Sequence, residues 1–232
     1  MARHARPILI APGSPPVFPD PRRADAEGLL AIGGDLAPER LLAAYRAGIF
    51  PWYEDGVPPL WWSPDPRAAF TPRSLHVSRS LARTIRRGGF TLTWNRAFRE
   101  VMEGCAADRS DGTWIIEEMV EAYCELHRLG HAHSLEVRIG DELVGGLYGV
   151  QVGALFAAES KFHRVGDMSK IAVIAAVRSL FRAGIGWFDV QMPTDHLESL
   201  GAFSLTRAEY LDHIAGLVDV AVDLGTLNPT LD

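Results

Sequence analysis

The chain has 232 residues, of which 47% are hydrophobic and 22% are charged, and its formal net charge is −6. This length allows one large domain or two unequal ones with a substantial hydrophobic core, and the composition excludes an intrinsically disordered chain. The negative net charge gives no overall sign of nucleic-acid binding, so any such surface has to be local.

Membrane insertion and secretion are also disfavoured. The longest apolar stretches, such as residues 171–180, are interrupted by Arg178 and are much shorter than the roughly 20 residues that cross a bilayer. Prolines break the short apolar run near the N-terminus, so we expect a mature cytoplasmic end rather than a signal peptide. The two cysteines, Cys105 and Cys124, fit a reducing compartment. We therefore expect a cytoplasmic protein without membrane contact.

The first part of the chain is predicted to be a small, irregular N-terminal domain spanning residues 1–72, followed by a larger domain spanning residues 73–232. A helix is expected to begin at Pro38 and to end before Gly48, because Pro is favoured at the first helical position and Gly after the last. Residues 51–72 contain three Trp and six Pro. This composition predicts a rigid aromatic loop rather than a regular element.

Regular α/β patterns begin at about residue 74. Helices are predicted at 78–88, 96–106, 117–129, 169–183 and 206–217, and strands at 90–94, 133–139, 142–151, 154–159 and 186–191. The expected N-caps are Asn95, Ser169 and Thr206, the last in a capping box with Glu209.

These elements predict an α/β protein with a mixed sheet flanked by helices. Residues 133–159 are expected to form an antiparallel meander with turns at Gly140-Asp141 and Val152-Gly153. The order of elements is also that of the acetyltransferase superfamily typified by histone acetylases, which is an analogy of fold and not of function.

Four arginines lie on one face of the helix predicted at 78–88. They recur at the helical spacings i, i+4, i+7 and i+8, without an acidic residue between them: Arg79, Arg83, Arg86 and Arg87. One interpretation is an ordinary solvated face. The other is a surface that contacts nucleic-acid phosphates.

Several familiar chemistries lack their motifs. No Walker loop or Rossmann glycine pattern is present. The segment 164–170 has one Gly and an Asp, which suits the pyrophosphate of coenzyme A poorly because that group needs free backbone amides and no nearby carboxylate. Cys105, Cys124 and the histidines between residues 127 and 133 lack a second closely spaced pair of ligands, so we expect no metal site.

Polar side chains end two apolar strands. Asp189 and Gln191 are two residues apart near the end of the strand predicted at 186–191, so alternation places them on one face. They either satisfy one another at the sheet end or form part of a site. Glu159 ends the strand predicted at 154–159, where it could pair with Lys161 or Lys170, or bind a cationic substrate group.

Longer strings in the chain resemble the leucyl/phenylalanyl-tRNA protein transferases, over about residues 18–211. The matching strings are EGLLAIGGDL at 27–36, YRAGIFPW at 45–52, LWWSPDPR at 60–67, GTWI at 112–115, GHAHS at 130–134, VGGLYG at 144–149, ES at 159–160 and DVQ at 189–191. The resemblance implies a bacterial cytoplasmic enzyme with an acetyltransferase-like C-terminal domain. Such enzymes transfer Leu or Phe, and less well Met, from aminoacyl-tRNA to proteins that begin with Arg or Lys, which marks those proteins for degradation by the N-end rule pathway.

The implied reaction is aminolysis of the ester that joins the amino acid to tRNA. An α-amino group has a pKa of about 7.7–8.0, so it needs positioning more than deprotonation. Gln191 cannot act as a conventional base, but its side-chain carbonyl can accept a hydrogen bond from the attacking N–H. Asp189 would then orient Gln191 and bias its polarity, a relay that the resemblance also implies. Alternatively, a ribose hydroxyl of the tRNA moves the proton and both residues only position the substrates.

Other roles are assigned to residues of the matched strings and of the strands beside them. Glu159 is expected to bind the basic acceptor. Trp52 is expected by resemblance to stack on the terminal adenine of the tRNA, with Trp114 nearby, although a single Trp is more often a core residue. An apolar pocket for the amino acid is expected from Leu147, Leu155, Phe156 and Phe188. One family member has Met at the position of Leu147, which leaves the preference among Leu, Phe and Met open.

Two rival functions remain at this point. One is an acetyl-CoA-dependent N-acetyltransferase of the same fold, and the other is a tRNA-binding protein without catalysis. We expect no cofactor and no metal. We also expect a monomer, because the sequence contains no coiled-coil pattern.

Overall fold

The computed structural model describes residues 6–107, 114–225 and 227–231. The helices, in chain order, are α1 (Pro38–Arg46), α2 (Arg79–Arg87), α3 (Phe98–Ala107), α4 (Glu117–Arg128), α5 (Met168–Arg182), α6 (Asp195–Ser199) and α7 (Arg207–Ala215). The strands are β1 (Ile8–Ile10), β2 (Leu29–Gly33), β3 (Phe50–Pro51), β4 (Leu60–Trp62), β5 (Arg67–Phe70), β6 (Thr91–Trp94), β7 (Ala132–Ile139), β8 (Glu142–Val152), β9 (Leu155–His163), β10 (Trp187–Gln191) and β11 (Phe203–Leu205).

The strands form two sheets. The smaller sheet has the order β1-β2-β4-β3, and the larger has the order β11-β5-β10-β9-β8-β7-β6. Among the described strands of the larger sheet, β9 and β10 run parallel and the other neighbours are antiparallel. The predicted mixed sheet flanked by helices is therefore confirmed. The chain passes from the smaller to the larger sheet between β4 and β5, whereas the predicted domain division at residue 72 stays a prediction.

Each face of the larger sheet covers a hydrophobic core. One core contains buried side chains of α1, α3, α4 and α7, such as Tyr45, Tyr123 and Tyr210. The other contains most of α5, with Leu81 of α2 and Leu197 of α6. Alternation along each inner strand directs successive side chains to these two cores.

Most regular elements of the larger sheet and its helices are confirmed within a few residues. The helix α2 is capped by Ser78, whose side chain accepts a hydrogen bond from the backbone N–H of Leu81, and α7 begins with the predicted Thr206–Glu209 capping box. The β7–β8–β9 meander turns at the predicted positions, where Gly140 and Gly153 have positive φ angles.

Two predicted N-caps are wrong. Asn95 is not the cap of α3: its backbone is left-handed and its side chain accepts from the backbone N–H of Ser134 at 3.0 Å. The backbone N–H groups just before α3 instead donate to the carboxylate of Glu136, which lies on strand β7. In α5 the cap is Asp167 rather than Ser169, because the helix begins one residue earlier, at Met168.

The predicted aromatic loop at 51–72 is wrong in part, because it contains β4, β5 and the end of β3. Pro51 ends β3, Pro59 precedes β4 and Pro66 precedes β5. The prolines therefore bound short strands, where a missing N–H is tolerated, and do not prevent the strands from forming. The elements α6 and β11 were also not predicted from the sequence.

The parallel strands β9 and β10 separate before β9 ends. Their pairing stops where Asp189 lies opposite Ala157, and the register of each strand shifts just beyond that point against its antiparallel neighbour. A gap opens between the two strand ends. No helix in the described ranges is long and apolar enough to cross a membrane.

Candidate functional site

A pocket of about 260 Å³ lies where β9 and β10 separate. Residues from both strand ends and from neighbouring elements line it: Phe50, Pro51, Trp52, Trp114, Leu147, Ala158, Glu159, Ser160, Lys161, Val173, Phe188, Val190, Gln191, Met192, Thr194 and Leu197. Six of the side chains proposed from the sequence thus share one cavity, although they are far apart along the chain.

Glu159 and Gln191 connect the two strand ends. The amide Nε2 of Gln191 donates to Oε1 of Glu159 at 2.5 Å, and both residues are at least 91% buried. The backbone of Gln191 is left-handed, with a φ angle of 64°, directly after the register shift in β10. Because its amide nitrogen faces Glu159, the side-chain carbonyl oxygen of Gln191 is the atom left to accept a further hydrogen bond.

Two buried phenols extend this network behind Glu159. The hydroxyl of Tyr123 lies 3.5 Å from Oε2 of Glu159, and it shares a short hydrogen bond with the hydroxyl of Tyr45. Burial raises the pKa of Glu159 to about 8, and the charge of Asp189 adds to the rise. Burial also raises the pKa of both phenols well above the usual value, so they are neutral donors. An approaching cation would favour the ionised form of Glu159.

Asp189 lies outside the pocket lining and is fully buried. Its carboxylate accepts two hydrogen bonds from Arg67, from Nε at 2.9 Å and from Nη2 at 2.6 Å, and a third from the hydroxyl of Tyr210 at 3.1 Å. Burial opposes the charge of Arg67, but the carboxylate of Asp189 raises the pKa of the guanidinium above its usual value. Toward Gln191, the Asp189 carboxylate contacts the backbone N–H at 2.9 Å, not the side-chain amide.

The indole of Trp52 forms an accessible edge of the pocket. It follows β3 directly and is 38% exposed. Its ring centre lies 5.8 Å from that of Trp62, whose indole N–H donates to the backbone carbonyl of Trp52 at 2.7 Å. Trp114 lines the same pocket from the segment before α4. Trp52 and Trp114, which were predicted to lie near one another, therefore line the same pocket, and Trp62 supports Trp52.

The apolar wall differs in part from the predicted set. Leu147 and Phe188 line the pocket, together with Val173 of α5, whereas the two other predicted residues do not. Leu155 is packed in the core on the other side of the sheet. Phe156 lies behind Phe188, with ring centres 5.3 Å apart, so it supports the wall without reaching the cavity.

The four arginines of α2 are all exposed: Arg79, Arg83, Arg86 and Arg87. None of them makes an ion pair with another residue in the described part of the chain. The helix packs beside the start of α5, where Thr84 donates to Asp167 at 3.2 Å. An exposed, uncompensated basic face of this kind can attract phosphate groups.

Two other parts of the sequence can also be located. The segment 164–170 forms the turn into α5, and Asp167 in it pairs with Lys170 at 3.0 Å. Among the described residues, no three His, Cys, Asp or Glu side chains are grouped so that they could hold a metal ion. Gly112 and Thr113 of the GTWI string lie outside the described residues.

Several residues of the site were not found by sequence reasoning. Each of them contacts a residue that was found: Arg67, Tyr210, Tyr45, Tyr123 and Trp62. Three of these five fall in the strings that carry the family resemblance, at 45–52 and 60–67. The family resemblance of those strings is the signal that could have pointed to these three residues. The contacts themselves join residues up to 122 positions apart, so no local sequence pattern indicates them.

Comparison with known proteins identifies the relatives of the chain. Residues 69–215 match the family model described as leucyl/phenylalanyl-tRNA protein transferase, and residues 34–65 match the model of the N-terminal domain of the same family. The chain is 55% identical over 206 residues to the leucyl/phenylalanyl-tRNA protein transferase of Pseudomonas entomophila, a match that covers 87% of this chain and 91% of the relative. It is 52% identical over 199 residues to the protein of that name from Escherichia coli O1:K1, covering 85% of each.

Among solved structures, the chain is similar to a GCN5-related N-acetyltransferase from Kribbella flavida, with 13% identity and a TM-score of 0.41. That match covers 71% of this chain and 59% of the other. A second structure, described as L-PGS from Bacillus licheniformis, has 13% identity and a TM-score of 0.40, and the match covers 72% of this chain and 54% of the other.

Proposed function

The chain belongs to the leucyl/phenylalanyl-tRNA protein transferase family and is an aminoacyltransferase, and we propose that it transfers Leu or Phe, and less well Met, to proteins with N-terminal Arg or Lys. Family membership decides against the two rivals, an acetyl-CoA-dependent enzyme and a tRNA-binding protein without catalysis. The proposed acceptors are those that the N-end rule pathway degrades, and the proposed location is the cytoplasm.

One observation carries the proposal: an apolar cavity, an exposed indole, a carboxyl group and an amide meet in one pocket. The wall formed by Leu147, Val173 and Phe188 suits an aliphatic or aromatic side chain. A large apolar pocket separates similar side chains by only about 1–3 kcal/mol per methylene, so selection between Leu and Phe is expected to be graded.

The tRNA end is assigned to the aromatic edge of the pocket. We assign Trp52 to stacking on the terminal adenine, with Trp114 beside it, because Trp52 is partly exposed and is fixed from behind by Trp62. Stacking of a base on an aromatic side chain contributes about 1–3 kcal/mol. Farther from the pocket, the arginines of α2 would hold phosphates without reading bases.

The acceptor is assigned to Glu159. Its carboxyl group reaches the pocket from a buried network, and an ionised carboxylate binds a guanidinium or ammonium group directly. Among the residues that line the pocket, Glu159 is the acidic one, so a basic acceptor is assigned to it.

The chemical step is nucleophilic attack by the neutral α-amine on the ester carbonyl. A bond forms between the nitrogen and the carbonyl carbon, the bond to the ribose oxygen breaks, and the amine proton ends on that oxygen. Gln191 is assigned to accept a hydrogen bond from the attacking N–H through its side-chain carbonyl, since its amide nitrogen is held by Glu159. The ribose hydroxyl of tRNA remains the alternative carrier of the proton.

The test supplies the protein with tRNA charged with radiolabelled Leu and a peptide that begins with Arg. Label that stays with the peptide after mild alkali, which hydrolyses the ester but not an amide, supports the proposal. The same peptide with an acetylated N-terminus is the control and should remain unlabelled. Transfer to the control, transfer of an acetyl group from acetyl-CoA, or no transfer at all would contradict the proposal.

A further inference from the structure

Arg67 and Asp189 form an ion pair in the interior of the protein. Arg67 is 1% exposed and Asp189 is fully buried, and two parallel N–H···O bonds join them between β5 and β10. Removing both charges from water is costly, so a buried pair of this kind is a weak device for stability alone. Its position next to the pocket suggests a different use.

The guanidinium of Arg67 also contacts the chain segment that leads to Phe50 of the pocket lining. Nη1 of Arg67 donates to the backbone carbonyl of Gly48 at 3.1 Å, two residues before Phe50 of the pocket lining. The charged group also lies over the rings of Tyr210 and Phe50, 4.4 Å and 5.0 Å from their centres. Arg67 therefore connects Asp189 with the chain segment that leads to the pocket wall.

Gln191 is the residue on which this arrangement acts. A φ angle of 64° is uncommon for a residue other than Gly, and such a conformation persists only where surrounding contacts hold it. The contact here is the bond from the backbone N–H of Gln191 to the carboxylate of Asp189 at 2.9 Å. That conformation directs the side chain of Gln191 to Glu159 and into the pocket.

We propose that Arg67 and Tyr210 are positioning residues: they fix the Asp189 carboxylate, which holds the left-handed backbone of Gln191 so that its side-chain carbonyl faces the reacting amine. Asp189 acts in this arrangement on the backbone of Gln191 and not on its amide. The inference rests on the proposed function, because it presumes that Gln191 contacts the attacking N–H.

Tyr210→Phe is the variant that tests the inference most directly. It keeps the aromatic ring under Arg67 and removes the hydroxyl that donates to Asp189 at 3.1 Å. We expect kcat to fall about 10-fold, with unchanged KM for aminoacyl-tRNA and for the acceptor, because small misplacements of reacting groups reduce the rate without weakening binding. Tyr53→Phe is the matched control, since it removes a hydroxyl that donates to Glu118 at the same 3.1 Å, and its kcat should be unchanged.

A role limited to stability predicts other results. It would lower the transition temperature of Tyr210→Phe and leave the kcat of the folded protein unchanged, which would overturn the inference. Hydrogen exchange of the Gln191 backbone amide gives an independent reading. Its exchange should be at least several-fold faster in Tyr210→Phe than in the wild type, while the amide of Phe188 in the same strand is unchanged. Equal protection of Gln191 in both proteins would also overturn the inference.

Arg67→Lys provides a second, independent variant. Lysine keeps the charge but cannot make two parallel bonds to a carboxylate. We expect a larger fall in kcat than for Tyr210→Phe, together with faster exchange at Gln191. If the wild-type protein transfers no amino acid, the proposed function fails, whereas the exchange of the Gln191 amide still decides whether Arg67 and Tyr210 hold its backbone.

Discussion

The side chains of Gln191 and Glu159 meet across the gap between β10 and β9, with Nε2 of Gln191 donating to Oε1 of Glu159 at 2.5 Å. The two strands are paired only as far as Asp189 and Ala157, so this bond joins the ends that have separated. A basic group held by Glu159 would lie next to Gln191. Recognition of the acceptor and attack on the ester are in this way assigned to adjacent side chains.

Acceptor binding is expected to depend on pH through Glu159. The pKa of about 8 means that the carboxyl group is largely protonated near neutral pH, and a bound guanidinium requires it to ionise. The affinity for a basic acceptor should therefore rise as the pH increases toward about 8 and level off above it, by up to about tenfold per pH unit. Calorimetric titration with a peptide that begins with acetylated Arg measures this, because the blocked α-amine cannot titrate.

Glu159→Gln is the control for that titration. It keeps the size of the side chain and has no ionisable group, so its weaker binding should not vary with pH. Without acceptor, the raised pKa adds stability that is complete below the unfolded value of 4.5 and is lost as the pH rises through about 8. The free energy of unfolding of the wild type relative to Glu159→Gln should fall over that range. A pH-independent affinity of the wild type would contradict the assignment.

Stacking at Trp52 is expected to contribute to tRNA binding. Trp52→Ala should weaken binding of aminoacyl-tRNA by about 1–3 kcal/mol, and Trp52→Phe should recover part of it. Fluorescence anisotropy with a short labelled RNA that ends in adenosine measures the loss. An RNA with an abasic 3′ end is the control: it should bind wild type and Trp52→Ala equally. A loss of the same size for both RNAs would show that Trp52 does not stack on the terminal base.

The sequence predicted the helices and the inner meander well because caps, turns and periodicity are local. Thr206 and Glu209, for example, are three residues apart and meet as predicted. The contacts of Arg67 were not predictable, because it lies in a strand of four residues between prolines and its partner is 122 positions away. Which strands become neighbours decides that contact, and no local pattern records it.

Alternation along β10 gave only part of the arrangement at its end. It placed Asp189 and Gln191 on one face, but the shift of register and the left-handed backbone of Gln191 separate them. Asp189 consequently faces Arg67 in the interior, and Gln191 lines the pocket. An irregularity of this kind breaks the two-residue period, so it is invisible to a prediction that assumes the period.

The basic face of α2 should contribute to the salt dependence of tRNA binding. Arg83→Ala is expected to weaken binding of any tRNA and to reduce the slope of log K against log salt by about 1, because one phosphate contact is lost. Arg128→Ala is the matched control, since Arg128 is also an exposed helical arginine but is paired with Glu125. An unchanged slope for Arg83→Ala would exclude this residue from the tRNA surface.

The choice between Leu and Phe should respond to Leu147. Leu147→Ala enlarges the pocket, and we expect the ratio of kcat/KM for Phe to that for Leu to rise about 10-fold, in line with the energy of one or two methylene groups. The substitution will also cost about 2–5 kcal/mol of stability, but the ratio compares two substrates on the same protein. Leu155→Ala should cost similar stability and leave the ratio unchanged, because Leu155 packs away from the pocket.

The ion pair of Arg67 and Asp189 should behave as a unit in unfolding experiments. Arg67→Met leaves the Asp189 carboxylate buried without its partner and should lower the free energy of unfolding by about 3–5 kcal/mol. Adding Asp189→Leu removes that unpaired charge, so the double variant should be more stable than Arg67→Met alone and close to the wild type. Denaturant unfolding of the wild type, the two single variants and the double variant measures the coupling.

The double variant should nevertheless lack transferase activity, because the carboxylate that holds the Gln191 backbone is gone. A stable double variant with wild-type activity would show that neither charge is needed at the site, whereas additive losses in stability would show that the two residues do not act together.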